Sequence, residues 1–307
     1  MSLPLIFLGT TNLDIAFYSH SLPTTGQSLM GTIDEFGGGK GANQAVAAAR
    51  LGAAPHFATL FGEDDAADIL IEGLTSYGVQ TSKFKRKAGV SSGKSLIFVG
   101  ADGSNMIGID AGANESFGPD DVENALNGIP EAAVMVVEMG LPVAACRAAF
   151  EKKGDRFLVF NPAPVRAQLT DEDYRAIDLL TPNETEAEEL TGIKIVSPET
   201  AFDAAKRLHD RGVKAVAITL GEDGVVYLDA EKRIHQLAYQ VNVVDTTAAG
   251  DAFNGAVAVA IARKIPIEEA LIYAVACASI SVTRKGAQQS MPTEQEVRAF
   301  LTNEGNV

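Results

Sequence analysis

Apolar runs of strand length alternate with helical patterns along most of this chain, and few folds accommodate that alternation. The strand-length runs lie at 5–9, 56–61, 133–138, 157–160, 178–180 and 214–219. Between them, spacing predicts helices over Lys40–Leu51 (stopped by Gly52), 65–76 (stopped by Gly78), 142–151 and 198–210. Ser197-Pro198-Glu199 marks a helix start: proline at the first helical position forfeits no hydrogen bond, and an early carboxylate meets the positive end of the helix dipole. Two further apolar segments, near 252–262 and 271–282, are rich in small residues and read as buried helices. Strand, helix and strand in succession return in parallel, so an α/β fold is expected, with helices on both faces of a mostly parallel sheet.

Two regions interrupt the pattern. Residues 13–36 and 82–109 are rich in Thr, Ser, Phe, Val and Ile and carry turn signals such as Ala101-Asp102-Gly103. They read as short strands inserted at two points of one domain spanning 1–307, able to pair into a small sheet that covers the site edge as a lid. No repeat or linker divides the chain.

Composition narrows the function. Hydrophobic residues make up 46% of the chain and charged ones 21%, which excludes a wholly disordered polymer. With 25 basic against 40 acidic residues the net charge is −15, which disfavours nucleic acid and anionic membrane surfaces as partners. The first residues read as a strand rather than a leader, and no uninterrupted apolar run is long enough to span a bilayer. Cys146 and Cys277 stand far apart with no CxxC spacing, so neither a disulfide framework nor a zinc site is expected, and a reducing cytoplasm is the natural setting.

Five segments could carry chemistry. In Val244–Gly255, small residues lead directly into an apolar helix. Successive N–H groups at such a start form an anion site, Gly250 permits close approach, and Asp251 puts a carboxylate in the first turn. Phosphoryl transfer needs this pairing of charge stabilisation with a base, although an ordinary capped helix would look similar. Phe36–Gln44 contains Gly37-Gly38-Gly39-Lys40-Gly41; it lacks the Ser or Thr of a Walker loop but fits a loose dinucleotide pattern at Gly37, Gly39 and Ala42. The same glycines would let a polyhydroxylated ligand press on backbone, with Asn43 as donor and acceptor. Asn12-Leu13-Asp14 follows the first strand, where open α/β sheets bind ligands. Thr181–Leu190 crowds four glutamates into a helix start, where Asn183 and Glu186 suit either a capping box or water-mediated contact to a phosphate-bound Mg²⁺. Thr283-Arg284-Lys285-Gly286 reads as a helix end.

Taken together, N-x-D, GGKGANQA, Asn161–Pro164, TPNETEAEELTG, ITLG, DTTAAGDAFNG and VTRKGAQ resemble, in order and over essentially the whole chain, the ribokinase-like (phosphofructokinase B) family of carbohydrate kinases, its ribokinases most of all. The resemblance implies a three-layer α/β/α sandwich with a β-sheet lid that also forms a homodimer interface. It implies ATP, Mg²⁺ and an activating K⁺, and transfer to the primary hydroxyl of a small sugar, D-ribose first, with deoxyribose, another pentose, a ketose or a nucleoside as alternatives. By motif match Asp251 is the general base, and the amides of Ala248, Ala249 and Gly250 form the anion hole. Asn12, Asp14, Gly39, Lys40 and Asn43 fall at the sugar. Asn183, Thr219, Gly221, Gly224 and Gly250 fall at the nucleotide, and Glu186 near Mg²⁺. Asp245, Thr247, Ser281, Arg284, Gly286 and Ser290 match the monovalent-cation positions, several through carbonyls alone.

One departure bears on specificity. Ribokinases typically read L-E-x-P where this chain reads Val137-Glu138-Met139-Gly140-Leu141-Pro142, so glycine stands at the sugar-binding Glu position. Glu138, two residues earlier, would point the same way along a strand and could address the same cavity from one step deeper. Two other readings, a nicotinamide oxidoreductase built on the glycine loop and a non-catalytic sugar sensor, find little else in the chain to support them.

Overall fold

A computed structural model describes residues 2–131 and 133–305. The chain runs β1 (Leu5–Leu8), β2 (Asn12–Tyr18), β3 (Thr32–Gly38), α1 (Lys40–Arg50), β4 (His56–Gly62), α2 (Asp65–Ser76), β5 (Phe84–Lys87), β6 (Gly93–Val99) and β7 (Asn105–Asp110). It continues α3 (Pro119–Leu126), β8 (Val134–Glu138), α4 (Val143–Lys152), β9 (Phe157–Asn161), α5 (Asp171–Ala176), β10 (Leu179–Leu180), α6 (Glu184–Thr191) and α7 (Pro198–Asp210). It closes with β11 (Ala215–Thr219), β12 (Val225–Asp229), β13 (Arg233–Gln236), α8 (Ala249–Ala262), α9 (Ile267–Ser281) and α10 (Glu294–Asn303).

The main sheet has the order β13-β12-β11-β10-β9-β8-β1-β4-β5; every pairing from β11 to β5 is parallel, and only the β11–β12–β13 ribbon is antiparallel. Both faces are apolar, as buried parallel strands require. On β1, Leu5 and Phe7 enter a core shared with α1, α2, α8 and α9, while Ile6 and Leu8 enter the opposite core shared with α3, α4, α6 and α7. The period of two along a strand thus divides one sequence run between two helix layers. The expected three-layer architecture is the observed one.

The small sheet has the order β3-β2-β6-β7, drawn from the two regions that interrupt the alternation. Residues 84–87 are a correction: they fall within the second of those regions, yet β5 pairs in parallel with β4 at the edge of the main sheet. Phe84 explains the capture, because its ring meets Phe57 and Phe61 edge-on at 6.0 and 5.2 Å. The Lys85-Arg86-Lys87 charges that follow suit an exposed sheet edge.

Two close backbone approaches set the geometry at the strand ends. A Cβ on Gly9 would stand 2.6 Å from the Gly41 Cα, so α1 can begin directly against the end of β1. A Cβ on Gly255 would stand 2.6 Å from the Ala47 Cβ, so α8 lies unusually near α1. Larger residues at either place would hold the helices apart and separate the side chains of their first turns.

Candidate active site

α8 begins without a side-chain cap. Its N-cap residue, Ala248, sits in the left-handed region at φ 60°, a conformation that costs a non-glycine residue roughly 1 kcal/mol. An α-helix leaves its first N–H groups without intrahelical acceptors. Ala249 donates to the Thr246 carbonyl only at a long 3.3 Å. At Gly250 the place of a Cβ is open, with nothing within 4 Å, so a ligand can approach the backbone directly.

One turn in, Asp251 is buried. Its carboxylate accepts from Asn43 Nδ2 at 2.9 Å and from Gln44 Nε2 at 3.0 Å, both on α1. Burial raises its pKa, opposed by the nearby Lys40 ammonium and by these two amides. A carboxylate near a helix N-terminus should favour ionisation, but here desolvation wins. The result is a base more proton-avid than a surface aspartate yet oriented on both oxygens. For Lys40, burial would lower the pKa, but Asp251, Glu138 and Glu186 together raise it, so its charge is secure.

Around Asp251 and Gly250 lies a cavity of about 160 Å³ that also takes in Lys40, Asn183, Glu186 and Thr219. A second cavity, of about 480 Å³, shares Thr219, Thr246, Ala249 and Gly250 with the first and extends past Gly221 and Gly224. Gly224 makes this wall possible: its φ is +87°, and a Cβ would stand 2.1 Å from the Gln236 carbonyl oxygen. Asn183 and Glu186 form a reciprocal capping box, with Glu186 N donating to Asn183 Oδ1 (2.8 Å) and Asn183 N to Glu186 Oε2 (2.9 Å). The cap and the cavity wall are therefore the same two side chains. Burial, aided by Asp251 and Glu189, raises the Glu186 pKa.

The opposite end of the site is rooted in the lid. On β2, Asp14 is mostly buried with its pKa raised by that burial to about 6, against one hydrogen bond from Ser95. Gly38 leaves the Asp14 carboxylate its place, since a Cβ there would stand 2.0 Å from Asp14 Oδ2 and would turn that side chain aside. Asn12 is committed to structure: its Oδ1 accepts from Asn114 Nδ2 (2.9 Å) and its Nδ2 donates to Ser95 Oγ (3.4 Å). Gly39 has φ +90° and packs on the Thr10–Thr11 backbone. Asn43 Oδ1 is buried with no hydrogen-bond partner among the described residues, an open acceptor beside Asp251. The glycine run does not form a dinucleotide-binding turn, because β3 is antiparallel to β2 in the lid rather than a strand of the parallel sheet.

The pfkB family carbohydrate kinase model matches residues 4–294. The chain belongs to that family. A ribokinase of Staphylococcus aureus is 37% identical over 304 residues, covering 97% of this chain and 99% of its own. A deoxyribokinase of Salmonella typhi is 35% identical over 298 residues, covering 96% and 97%. The solved ribokinase of Arabidopsis thaliana complexed with ribose and ATP superposes with a TM-score of 0.89 at 32% identity, covering 98% of this chain and 99% of that one.

Within this pfkB carbohydrate kinase, Glu138 ends β8 fully buried, and its two carboxylate oxygens accept from Thr10 N and Gly140 N, each at 2.5 Å. It braces the strand ends, while Gly140 offers only backbone; a Cβ there would stand 2.4 Å from the Glu138 Oε2. Among the residues that the motifs match to a monovalent cation, Asp245 gathers Thr247 N (2.9 Å), Thr247 Oγ1 (2.6 Å) and Gly286 N (2.9 Å). Burial would raise its pKa, but these donors and Lys285 hold it below the usual carboxylate range. Arg284 turns its guanidinium to Glu296 at 2.6 Å. Ser281 and Ser290 are fully buried, with hydroxyls donating to Ala278 and Ala287 carbonyls. Gln44, Asn161, Thr181 and Asn254 also line or support the site, and the motif reading assigns none of them a role. A signal was present for Gln44: Asn43-Gln44 is the polar pair in the otherwise Ala/Val-rich buried stretch of α1.

Among the described residues no helix is long and apolar enough to cross a membrane. Both cysteines are buried free thiols.

Proposed function

We propose that this carbohydrate kinase transfers the γ-phosphoryl group of ATP to the primary hydroxyl of a small sugar, D-ribose giving ribose 5-phosphate. The observation that carries the reading is Asp251: a buried, doubly oriented carboxylate beside uncapped helix N–H groups, with the nucleotide-sized cavity on one side and the Asn43 and Asp14 acceptors on the other. Asp251 removes the hydroxyl proton as the oxygen attacks phosphorus. The amides of Ala248, Ala249 and Gly250 accept the charge that spreads over the transferred group, a role in which preorganised donors outperform water. Lys40 adds a fixed positive charge, and Asp14, Gly39 and Asn43 hold the sugar.

The donor set fits ATP with Mg²⁺. Thr219, Gly221 and Gly224 wall the larger cavity. No group of three or more potential metal-ligating side chains occurs among the described residues, which suits an ion carried in on phosphate oxygens, with Glu186 reaching it through water and Asn183 beside it. When bound, Mg²⁺ neutralises charge on the phosphates. The segments 245–247 and 281–290 offer one ionised carboxylate, Asp245, with hydroxyl and carbonyl oxygens of Thr247, Ser281, Arg284, Gly286 and Ser290, a set suited to K⁺.

A second reading rests on Gly140. It supplies no side-chain acceptor to the sugar, and a deoxyribokinase stands among the similar proteins, so 2-deoxyribose is the competing substrate. Ile33, Leu96, Met106, Ile107 and Ile109 expose apolar surface on the lid sheet, which supports a homodimer closed through it. The test is ADP release with MgATP and K⁺ over ribose, deoxyribose, other pentoses, fructose and nucleosides. Preference for ribose is expected. Turnover concentrated on deoxyribose would move the substrate and keep the mechanism, and no turnover on any sugar would sink the reading.

A further inference from the structure

The reading of Asp251 as base leaves a buried chain of amides beneath it without a role. Gln44 is 1% exposed, and its amide nitrogen contacts two acceptors, Asp251 Oδ1 at 3.0 Å and Asn161 Oδ1 at 3.2 Å. A carboxylate only accepts, so the orientation of the Gln44 amide is dictated: nitrogen toward Asp251, Oε1 away. That oxygen is buried with no partner, a cost of about 1–3 kcal/mol that apolar packing would avoid. The chain continues in one sense. Asn161 Nδ2 donates to the Thr181 carbonyl (2.8 Å), the Thr181 hydroxyl donates to Asn254 Oδ1 (2.6 Å), and Asn254 Nδ2 donates to the Gly250 carbonyl (2.8 Å). Gly250 and Asp251 share that last peptide unit.

We propose that Gln44 is a positioning residue for the base, and that the relay Gln44–Asn161–Thr181–Asn254 locks the Asp251 carboxylate to the Gly250 carbonyl at the edge of the anion hole. Four side chains from α1, β9, the β10–α6 turn and α8 thereby close a ring of hydrogen bonds that begins at the Asp251 carboxylate and ends at the adjoining Gly250 carbonyl. One end orients the oxygen that takes the proton, and the other holds the carbonyl of Gly250, the residue whose own N–H is the last of the anion hole. Movement of α1 or β9 away from the start of α8 must break the ring. The Gln44 N–H bond to Asp251, together with that of Asn43, also favours the ionised carboxylate. The other charges acting there are Lys40 on α1, which favours ionisation, and Glu186 on α6, which opposes it, with Glu138 on β8 acting on Lys40.

This inference rests on the assignment of Asp251, so Asp251→Asn is run beside it. Gln44→Met keeps the volume and removes both N–H donors. With MgATP and the best acceptor of the panel, its kcat should fall about ten- to a hundredfold with the sugar KM within about threefold. The acid limb of its kcat profile should move up by about one pH unit. Thr181→Val cuts the other arm and should lower kcat with the acid limb in place. If Gln44→Met does not fold, Gln44→Glu keeps the shape and sets an acid against Asp251, and the acid limb should rise there too. An inactive Asp251→Asn enzyme beside a Gln44→Met enzyme with wild-type kcat and acid limb would overturn the inference alone. A lower melting temperature for Gln44→Met with unchanged kinetics would do the same, by reducing Gln44 to packing. An active Asp251→Asn enzyme would remove both the base and its positioning residue.

Discussion

Two helices start at the same rim of the sheet and treat their first turns in opposite ways. α6 begins with a complete capping box, Asn183 and Glu186 bonding each other's backbone N–H groups. α8 begins at Ala248 with no side-chain cap and a left-handed residue. A cap satisfies N–H groups at the expense of their availability, so the first start contributes stability and the second contributes donors to a ligand. A similar contrast separates two carboxylates. Glu138 has both oxygens satisfied by backbone amides, whereas Asp14 is half-buried with a single hydroxyl donor and holds its charge poorly. Polar groups that the fold satisfies hold it together, and those it leaves short are the ones free to meet substrate.

The largest effect expected from breaking this contrast is at Asp251. Asp251→Asn should lower kcat by about 10³-fold or more, with sugar binding largely kept, as measured by steady-state kinetics and calorimetry. Next comes Asp14→Asn, which should raise the sugar KM about tenfold or more while stabilising the protein. The sign follows from the raised pKa. Between the ordinary value of 3.8 and about 6, the folded state binds more protons than the unfolded one, so stability falls as pH rises through that window. The variant should therefore gain roughly 1–2 kcal/mol in urea denaturation at pH 7.5, allowing for the part-exposed position, and nothing below pH 4. A variant less stable than wild type at pH 7.5 would contradict the assignment.

Giving α8 a cap tests the contrast most directly. Ala248→Asp offers a carboxylate to the free N–H groups, and kcat should fall about tenfold or more because that charge competes with the transferred phosphoryl group. Ala248→Gly, which only relieves the left-handed backbone, should raise stability by up to about 1 kcal/mol and leave kcat nearly unchanged. The smallest effect is expected at α6, where Asn183→Ala should cost about 1 kcal/mol of stability by thermal melt, with activity loss greatest at low Mg²⁺. Equal kinetic damage from Asn183→Ala and Ala248→Asp would erase the distinction between the two helix starts.

Much of this could be read locally. The helices at 65–76 and 198–210 begin and end where periodicity, caps and glycine stops put them, and the six strand runs all became main-sheet strands. The helices α3, α5 and α10 and the β12–β13 ribbon are absent from that reading; α3 and α5, at eight and six residues, are too short to show a helical period. Residues 84–87 were drawn to the wrong sheet for a related reason: the contact that places them, Phe84 between Phe57 and Phe61, spans more than twenty residues of chain. Asp251, Asn43 and Lys40 stand out in the sequence because each sits in a dense motif. Gln44 belongs to the same motif, yet its role depends on Asn161 and Asp251, more than a hundred residues away.

The sequence by itself determined the layered architecture, since apolar period and turn chemistry act over a few residues and leave little choice of element. It also determined the family, through motifs in a fixed order. Only the tertiary structure decided which polar groups would be satisfied. Glu138 could have faced the sugar cavity, but two backbone amides 2.5 Å away claimed its oxygens. Asp251 could have been a routine first-turn carboxylate, but the close approach of α1 at Gly255 buried it between two amides. Desolvation and hydrogen bonding depend on what the rest of the chain brings near a side chain, and that is set by packing, at distances no local pattern encodes.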